Sequence, residues 1–217
     1  MSLAGVRVVV SAGPTYEDLD PVRFLGNRSS GKMGFAIAAA AARRGADTVL
    51  VAGPVHLPTP VGVARVDVRS AAQMHDAVLA ALPADVYIGA AAVADFTPRT
   101  VSPQKIKKVA NPDTLVLELV RTPDILATVA RAALRPRVVV GFAAETGDVE
   151  PYARGKLAAK GVDMIAANRV GVAGSGFESD DNALIVYAGE GTVALGPGPK
   201  TALAEDLLDL VEARLHA

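Results

Sequence analysis

The chain has 217 residues, 51% apolar and 21% charged, with a formal net charge of −1. That balance fits a single domain spanning 1–217 with a substantial core, and it argues against general affinity for nucleic acid or an anionic membrane surface. Only 4% of residues are aromatic, which speaks against a base-stacking platform for single strands; the apolar runs stop short of the roughly 18 residues of a membrane span, and no secretory signal opens the chain, so a cytoplasmic location is expected.

The elements alternate along the chain. Val6 to Ser11 is a short β-branched run that predicts a buried strand. A polar stretch then leads to an alanine-rich helix from about Ser30 to Arg44, with Gly45 placed to stop it. Thr48–Ala52 and Val63–Val68 predict strands, Ser70 caps a helix to about Leu82, and Val86–Val93 predicts another strand ending near Asp95. Leu115–Val120 alternates like a half-exposed strand, and Thr122 is expected to cap a helix behind Pro123. Strand Val138–Phe142, helix Pro151–Lys160 and strand Met164–Ala167 follow. Gly189-Glu190-Gly191 between two alternating runs marks a hairpin, and Lys200–Leu215 closes as an amphipathic helix.

Strands alternating with helices predict an α/β fold, a Rossmann-like, mostly parallel sheet with helices on both faces. Two additions are expected: a flap or β extension near 97–120, whose residues 97–114 read equally as a disordered surface loop, and the C-terminal hairpin. Ligands of such sheets bind beyond the carboxyl ends of the strands, so the loops after Ser11, Val93, Phe142 and Ala167 should converge on one crevice.

Several segments carry candidate chemistry. Gly26, four residues, Gly31 and Lys32 follow the phosphate-loop pattern G-x-x-x-x-G-K-[S/T], but Met33 stands where a hydroxyl should hold magnesium. A phosphate loop also follows its strand directly, whereas some fifteen residues separate Ser11 from Gly26. Ser29 and Ser30 sit where helix caps belong, and free N–H groups at a helix start attract anions. The run from Gly89 to Asp95 ends a strand in small side chains, including Ala92, and then a carboxylate suited to a ribose, a cation or a plain turn. Lys105, Lys107 and Lys108 place three cations in four residues, which a solvated face explains as well as an anion site does. Lys156 and Lys160 lie one helical turn apart. Phe142 and Glu145 after one strand, the Pro123-Asp124-Ile125 turn, and Asn168 at the end of another all fall at the same side of the predicted sheet.

The inventory narrows the reaction. With no cysteine there is no thiolate nucleophile, disulfide or zinc–thiolate site, and His56, His75 and His216 lack metal-ligand spacing. Chemistry is left to Lys, Arg, Asp, Glu, Asn, Ser and backbone amides, which suits reactions needing positioned positive charge more than a strong base.

Taken in order, SAGPT (11–15), DPVRFLGNRSSGKMGFA (20–36), AAAVADF (90–96), KIKK (105–108), TPDIL (122–126), VGFAAET (140–146), KLAAKG (156–161), AAN (166–168) and FESDDN (177–182) resemble bacterial CTP-dependent phosphopantothenate–cysteine ligases over nearly the whole chain. The resemblance implies that 4'-phosphopantothenate attacks the α-phosphate of CTP, giving an acyl-cytidylate and pyrophosphate. Cysteine then takes the acyl group, giving 4'-phosphopantothenoylcysteine and CMP, a step towards coenzyme A. It implies Asn27 beside the acyl intermediate, Lys105 at the triphosphate or the transition state, and Lys156 and Lys160 on the β- and γ-phosphates. Asp95 and Phe96 would lie at the nucleotide, Asp95 near ribose or Mg²⁺, with Phe142, Pro123, Asp124 and Ile125 around the cytidine. Ser29, Ser30, Gly31 and Lys32 would meet phosphate groups, and Gly13, Ala92, Lys107 and Asn168 complete the expected binding set. A homodimer is also implied, and its interface is expected around the 97–120 segment and the adjacent edge strand. Family members often carry a flavin-dependent decarboxylase domain ahead of this one; the sequence leaves open whether that partner is a fused domain or a separate subunit.

Two rival classes remain at this level. A nicotinamide- or flavin-binding oxidoreductase predicts G-x-G-x-x-G directly after the first strand, where residues 11–16 read Ser-Ala-Gly-Pro-Thr-Tyr. A non-catalytic nucleotide-binding module predicts loss of Asn27 or the lysines, and all are present.

Overall fold

The computed structural model describes residues 2–107, 114–145, 147–169 and 179–217. Strand β1 (Arg7–Ala12) leads into a small hairpin of β2 (Tyr16–Asp18) and β3 (Phe24–Gly26), and α1 (Lys32–Arg43) returns the chain to β4 (Asp47–Ala52). Next come β5 (Val63–Asp67), α2 (Ala71–Ala80) and β6 (Val86–Gly89), then β7 (Phe96–Pro98) and β8 (Leu119–Arg121). After them run α3 (Ile125–Ala130), β9 (Val138–Glu145), α4 (Val149–Lys160) and β10 (Met164–Arg169). The hairpin β11 (Asp181–Ala188) and β12 (Gly191–Pro199) and helix α5 (Lys200–Leu215) close the chain.

Eight strands form one sheet in the order β12-β11-β10-β9-β6-β1-β4-β5. The six from β10 to β5 are parallel, and β11 and β12 add antiparallel at one edge. Chain order reverses at β1, which has β4 on one side and β6 on the other, so a crevice opens at its carboxyl end. Strands buried on both faces need apolar residues at every position, which is why they read as runs such as Val8-Val9-Val10. Val8, Val10, Leu50, Ile88 and Val140 pack beneath α1 and α5, and Val9, Val51, Tyr87, Val139 and Ile165 beneath α2, α3 and α4.

Arg44, just past α1, joins that helix to α5. Its guanidinium donates to Glu205 at 2.9 Å, Asp209 at 2.8 Å and the buried Glu212 at 2.9 Å. The buried carboxylate is thereby paired, as burial of a charge requires.

Two glycines set how closely the chain packs at the end of β1. A Cβ on Gly53 would lie 1.7 Å from the Pro14 carbonyl oxygen, and one on Gly34 would lie 2.4 Å from Ala12 Cβ. These contacts let the first turn of α1 sit directly over the crevice.

Most expected elements are present, including the Ser70 capping box with Gln73, and the differences have local causes. Ser29 and Ser30 do not cap α1; its N-cap is Gly31 at φ 76°, a conformation glycine adopts without the cost of a side chain. Thr122 does not cap α3 either. Its hydroxyl donates to the Ala94 carbonyl at 2.6 Å, and Asp124 takes the cap by accepting from the Ala127 amide at 3.0 Å. The strand expected over 86–93 stops at Gly89, because the Ala92 amide turns to the Gly13 carbonyl at 2.9 Å. Of the run 115–120 only Leu119 and Val120, with Arg121, pair, and they pair with β7 in a separate two-stranded sheet. The β2–β3 hairpin was not expected: its strands are too short for a period and are held by the Tyr16–Phe24 ring stack at 3.9 Å and the Arg69–Asp18 ion pair.

Glycine substitutions test this packing. Gly53→Ala forces backbone movement and should destabilise by about 3 kcal/mol, lowering the melting temperature by roughly 6–12 °C. Gly155, exposed within α4 with nothing within 4 Å of its would-be Cβ, should instead gain about 0.5–1 kcal/mol on Gly155→Ala. Thermal melts of the two variants check both signs.

Candidate functional site

Two adjoining cavities of about 410 Å³ each occupy the crevice. Ala91, Val93, Asp95, Phe142 and Lys156 line both, so the two meet along a shared wall.

Ser11 and Tyr87 line the first cavity from β1 and β6. Their hydroxyls are 2.9 Å apart, and burial pushes the Tyr87 phenol up to about 12, so it stays protonated. Phe96, Pro123, Asp124 and Ile125 line it further round, as do Lys156 and Lys160 of α4. The Lys156 ammonium donates to the Phe142 carbonyl at 2.8 Å. Lys160 is paired with Asp124. Burial pushes the Asp124 carboxyl up, but the bonds from Lys160 and the Ala127 amide outweigh it and hold the group below its ordinary value. Asp124 is therefore ionised at neutral pH.

The second cavity lies over the first turn of α1. Asn27, Ser29, Ser30, Gly31 and Lys32 line one side, and Asn168, Asn182 and Lys200 the other. Asn27 donates from Nδ2 to the Ala92 carbonyl at 2.9 Å, which fixes the plane of its amide. Lys32 pairs with Asp180 at 2.7 Å. Lys200 is 6% exposed and donates to the Ser179 carbonyl at 2.6 Å. Burial first, and the neighbouring Lys32 second, lower its pKa.

Most of the expected site residues thus converge. Gly13 stands behind the wall, its carbonyl holding Ala92. Lys105 and Lys107 are exposed and line neither cavity. Their segment hangs from Asp20, which accepts from the Ile106 amide at 3.1 Å, while Arg23 donates to the Ile106 carbonyl at 2.8 Å. Burial pushes the Asp20 carboxyl up; the Arg23 guanidinium and three backbone amides override it and hold the group far below the usual carboxylate range. Lys108, Thr146, Phe177, Glu178 and the flap residues 108–113 lie outside the described residues.

No three His, Cys, Asp or Glu side chains gather into a metal cage among the described residues. Magnesium usually sits on one or two carboxylates plus substrate phosphates, and Asp95, on the wall between the cavities, fits such a single protein ligand. Among the described residues, no helix is long and apolar enough to cross a membrane.

Lys200 and Asn182 were missed as site residues, yet both left a signal. A lysine at the first position of a helix opposes the helix dipole, so some other requirement holds Lys200 there. Asn182 shares the inward parity of Leu184 and Val186 on β11, where an apolar residue belongs.

The family model for the DNA/pantothenate metabolism flavoprotein C-terminal domain matches residues 3–215. The coenzyme A biosynthesis bifunctional protein CoaBC of Vibrio cholerae serotype O1 is 54% identical over 214 residues, which cover 98% of this chain and 54% of that protein. The CoaBC protein of Escherichia coli strain K12 is 50% identical over 214 residues, 98% of this chain and 53% of that protein. The chain therefore spans about half the length of the curated relatives it matches. Among solved structures, the C-terminal domain of a CoaBC protein superposes with a TM-score of 0.83 at 40% identity, covering 98% of this chain and 97% of that one. A Cab2 variant solved in complex with phosphopantothenate-cysteine shares the fold, with a TM-score of 0.76 at 16% identity over 97% of this chain and 86% of that one. The chain belongs to the family of the DNA/pantothenate metabolism flavoprotein C-terminal domain.

Proposed function

We propose that the chain is a CTP-dependent phosphopantothenate–cysteine ligase acting in coenzyme A biosynthesis. The observation that carries this reading is the pair of cavities meeting along the Asp95–Lys156 wall, each with its own cations. A two-substrate condensation through an activated acid needs that layout: a nucleotide on one side, an acid on the other, and the α-phosphate where they meet. Membership of the family supports it, as does the name of the CoaBC relatives.

The first cavity takes the nucleotide. Phe142 and the Pro123-Asp124-Ile125 turn flank the cytidine, and Lys156 and Lys160 neutralise the β- and γ-phosphates. To do so, Lys160 exchanges Asp124 for phosphate. Mg²⁺ would lower the charge on the phosphates, with Asp95 as its protein ligand. The acid's carboxylate is already a nucleophile at neutral pH, which explains why a site without histidine or cysteine suffices. Its oxygen attacks the α-phosphorus and pyrophosphate leaves with the electron pair. Lys105 supports that step, delivered by a segment whose inner end is fixed to Asp20. Asn27, held by Ala92, then orients the acyl group for attack by the cysteine amine.

We further propose a homodimer whose contact includes the exposed apolar residues Phe96, Leu115, Val116 and Leu119 at the β7–β8 sheet. Decarboxylation by a flavin-dependent domain or subunit would use the product.

With phosphopantothenate, cysteine and Mg²⁺, pyrophosphate release should be far faster with CTP than with ATP, GTP or UTP. No release with any nucleotide from folded protein would overturn the reading. Asn27→Asp should still release pyrophosphate yet pass less than about a hundredth of the acyl group to cysteine, a loss of about 3 kcal/mol in the second step.

Asp20→Asn should slow the first step about tenfold, the effect of weakening charged hydrogen bonds, and leave aminolysis of preformed intermediate unchanged. Because the folded carboxyl is depressed, the anchor is intact above the ordinary carboxylate range and is lost only as pH falls through its lowered value. Pre-steady-state rates from pH 5 to 8 should therefore show no limb from Asp20.

A further inference from the structure

A third cavity, of about 630 Å³, lies on the flank of the sheet among residues of α2, α3 and α4. Ala127, Ala132 and Ala159 keep it open with small side chains, and Asp124, Lys160 and Arg131 give it charge. Asp124 and Lys160 also line the first cavity, so their ion pair stands between the two spaces.

The two lysines of α4 border different spaces. Lys156 lines the first and second cavities, whereas Lys160 lines the first and third and not the second. Displacement at phosphorus places the attacking and leaving oxygens in line. An acid that attacks from the second cavity therefore drives the leaving group away from it, to the side of Lys160. As the bond from the acid oxygen to the α-phosphorus forms, the bond from that phosphorus to the oxygen bridging to the β-phosphate breaks. The electron pair leaves on pyrophosphate and no proton moves. Pyrophosphate is thus born beside Lys160, with the acyl-cytidylate still filling the first cavity.

Arg131 is the next cation. It follows the last turn of α3, is exposed, and donates to the Ala159 carbonyl of α4 at 3.3 Å. It makes no ion pair among the described residues, so its charge is uncompensated and four of its five N–H donors are open to an anion. Helices α3 and α4 both end here, at Ala130 and Lys160, and the negative ends of their dipoles weaken the hold on any anion. Such a site binds a polyanion briefly and lets it go.

We infer that the third cavity is a transit site for pyrophosphate: Lys160 carries the leaving group across from the first cavity, and Arg131 receives it on the way to solvent. Asp124 then reclaims Lys160 and, by competing for it, disfavours return of the product. The inference rests on the ligase reading and gives the Asp124–Lys160 pair a role in product departure.

The test uses the 217-residue chain and follows formation and release of pyrophosphate separately. Rapid quench of a single turnover with CTP, phosphopantothenate and Mg²⁺ reads the pyrophosphate formed; stopped flow with pyrophosphatase and a phosphate sensor reads the pyrophosphate set free. Ala159→Phe fills the third cavity and does not border the first. It should leave formation and CTP affinity unchanged and slow release about tenfold. Release that keeps step with formation in this variant overturns the route. Arg131→Gln should weaken binding of pyrophosphate about two- to fivefold, the range of an exposed charged contact, with KM for CTP unchanged, and Arg131→Lys should restore most of it. Calorimetry with pyrophosphate alone reads that change even if Ala159→Phe fails to fold. If Arg131→Gln only lowers the melting temperature and the folded chain keeps its affinity for pyrophosphate, the arginine is a brace between helices and the site is wrong. If pyrophosphate binds with the Arg131 dependence but no nucleotide releases it, the ligase reading fails and the anion site stands.

Discussion

The structure depends on how closely the backbone packs where β1 ends. Gly53 presses on the Pro14 carbonyl and Gly34 on Ala12, at separations no side chain permits. Those contacts put the start of α1 over the carboxyl end of the sheet and turn the 90–93 segment towards Gly13. Asn27 is then oriented by the carbonyl of Ala92, at the edge of the cavity over α1. A looser approach would leave the same residues present but unaligned, and alignment is what catalysis by positioning requires.

Charge is arranged with the same economy of parts. Lys160 rests on Asp124 and Lys32 on Asp180, so each cavity has a lysine held by a carboxylate in this structure. An anion entering either cavity competes with an acid already in place, which lowers the cost of organising the cations and disfavours weakly charged ligands. Asp124 also caps α3, so loss of its lysine leaves it with a role at the helix start. Lys156 and Lys200 lie apart from this pattern: each donates to a backbone carbonyl, of Phe142 and Ser179, and the burial of Lys200 is nearly complete.

Much of this could be read from the sequence. The β-branched runs, the alanine-rich helix and the Gly189–Gly191 turn carry their own periodicity, and the parallel sheet follows from their alternation. The i, i+4 spacing placed Lys156 and Lys160 on one face, and both line the first cavity. What was illegible depended on contacts between distant segments. Nothing local distinguishes Thr122 from Asp124 as the cap until Ala94 claims the threonine hydroxyl. Gly31 replaces the two serines as the cap because a left-handed residue was needed where α1 enters the tight packing. Lys105 reads as a site lysine in its motif, yet this structure leaves it exposed and tethered through Ile106 to Asp20. Asn182 required knowledge of the parity of β11 and of the cavity above it.

The central claim is that the acid is activated on the α-phosphate of the nucleotide, at the wall between the cavities. Isotope transfer tests it most directly. Phosphopantothenate labelled with oxygen-18 in its carboxylate should pass one labelled oxygen to CMP, because the bridging oxygen stays with the nucleotide when the amine takes the acyl carbon. Label appearing in pyrophosphate or inorganic phosphate, or in neither nucleotide nor phosphate, would contradict the account.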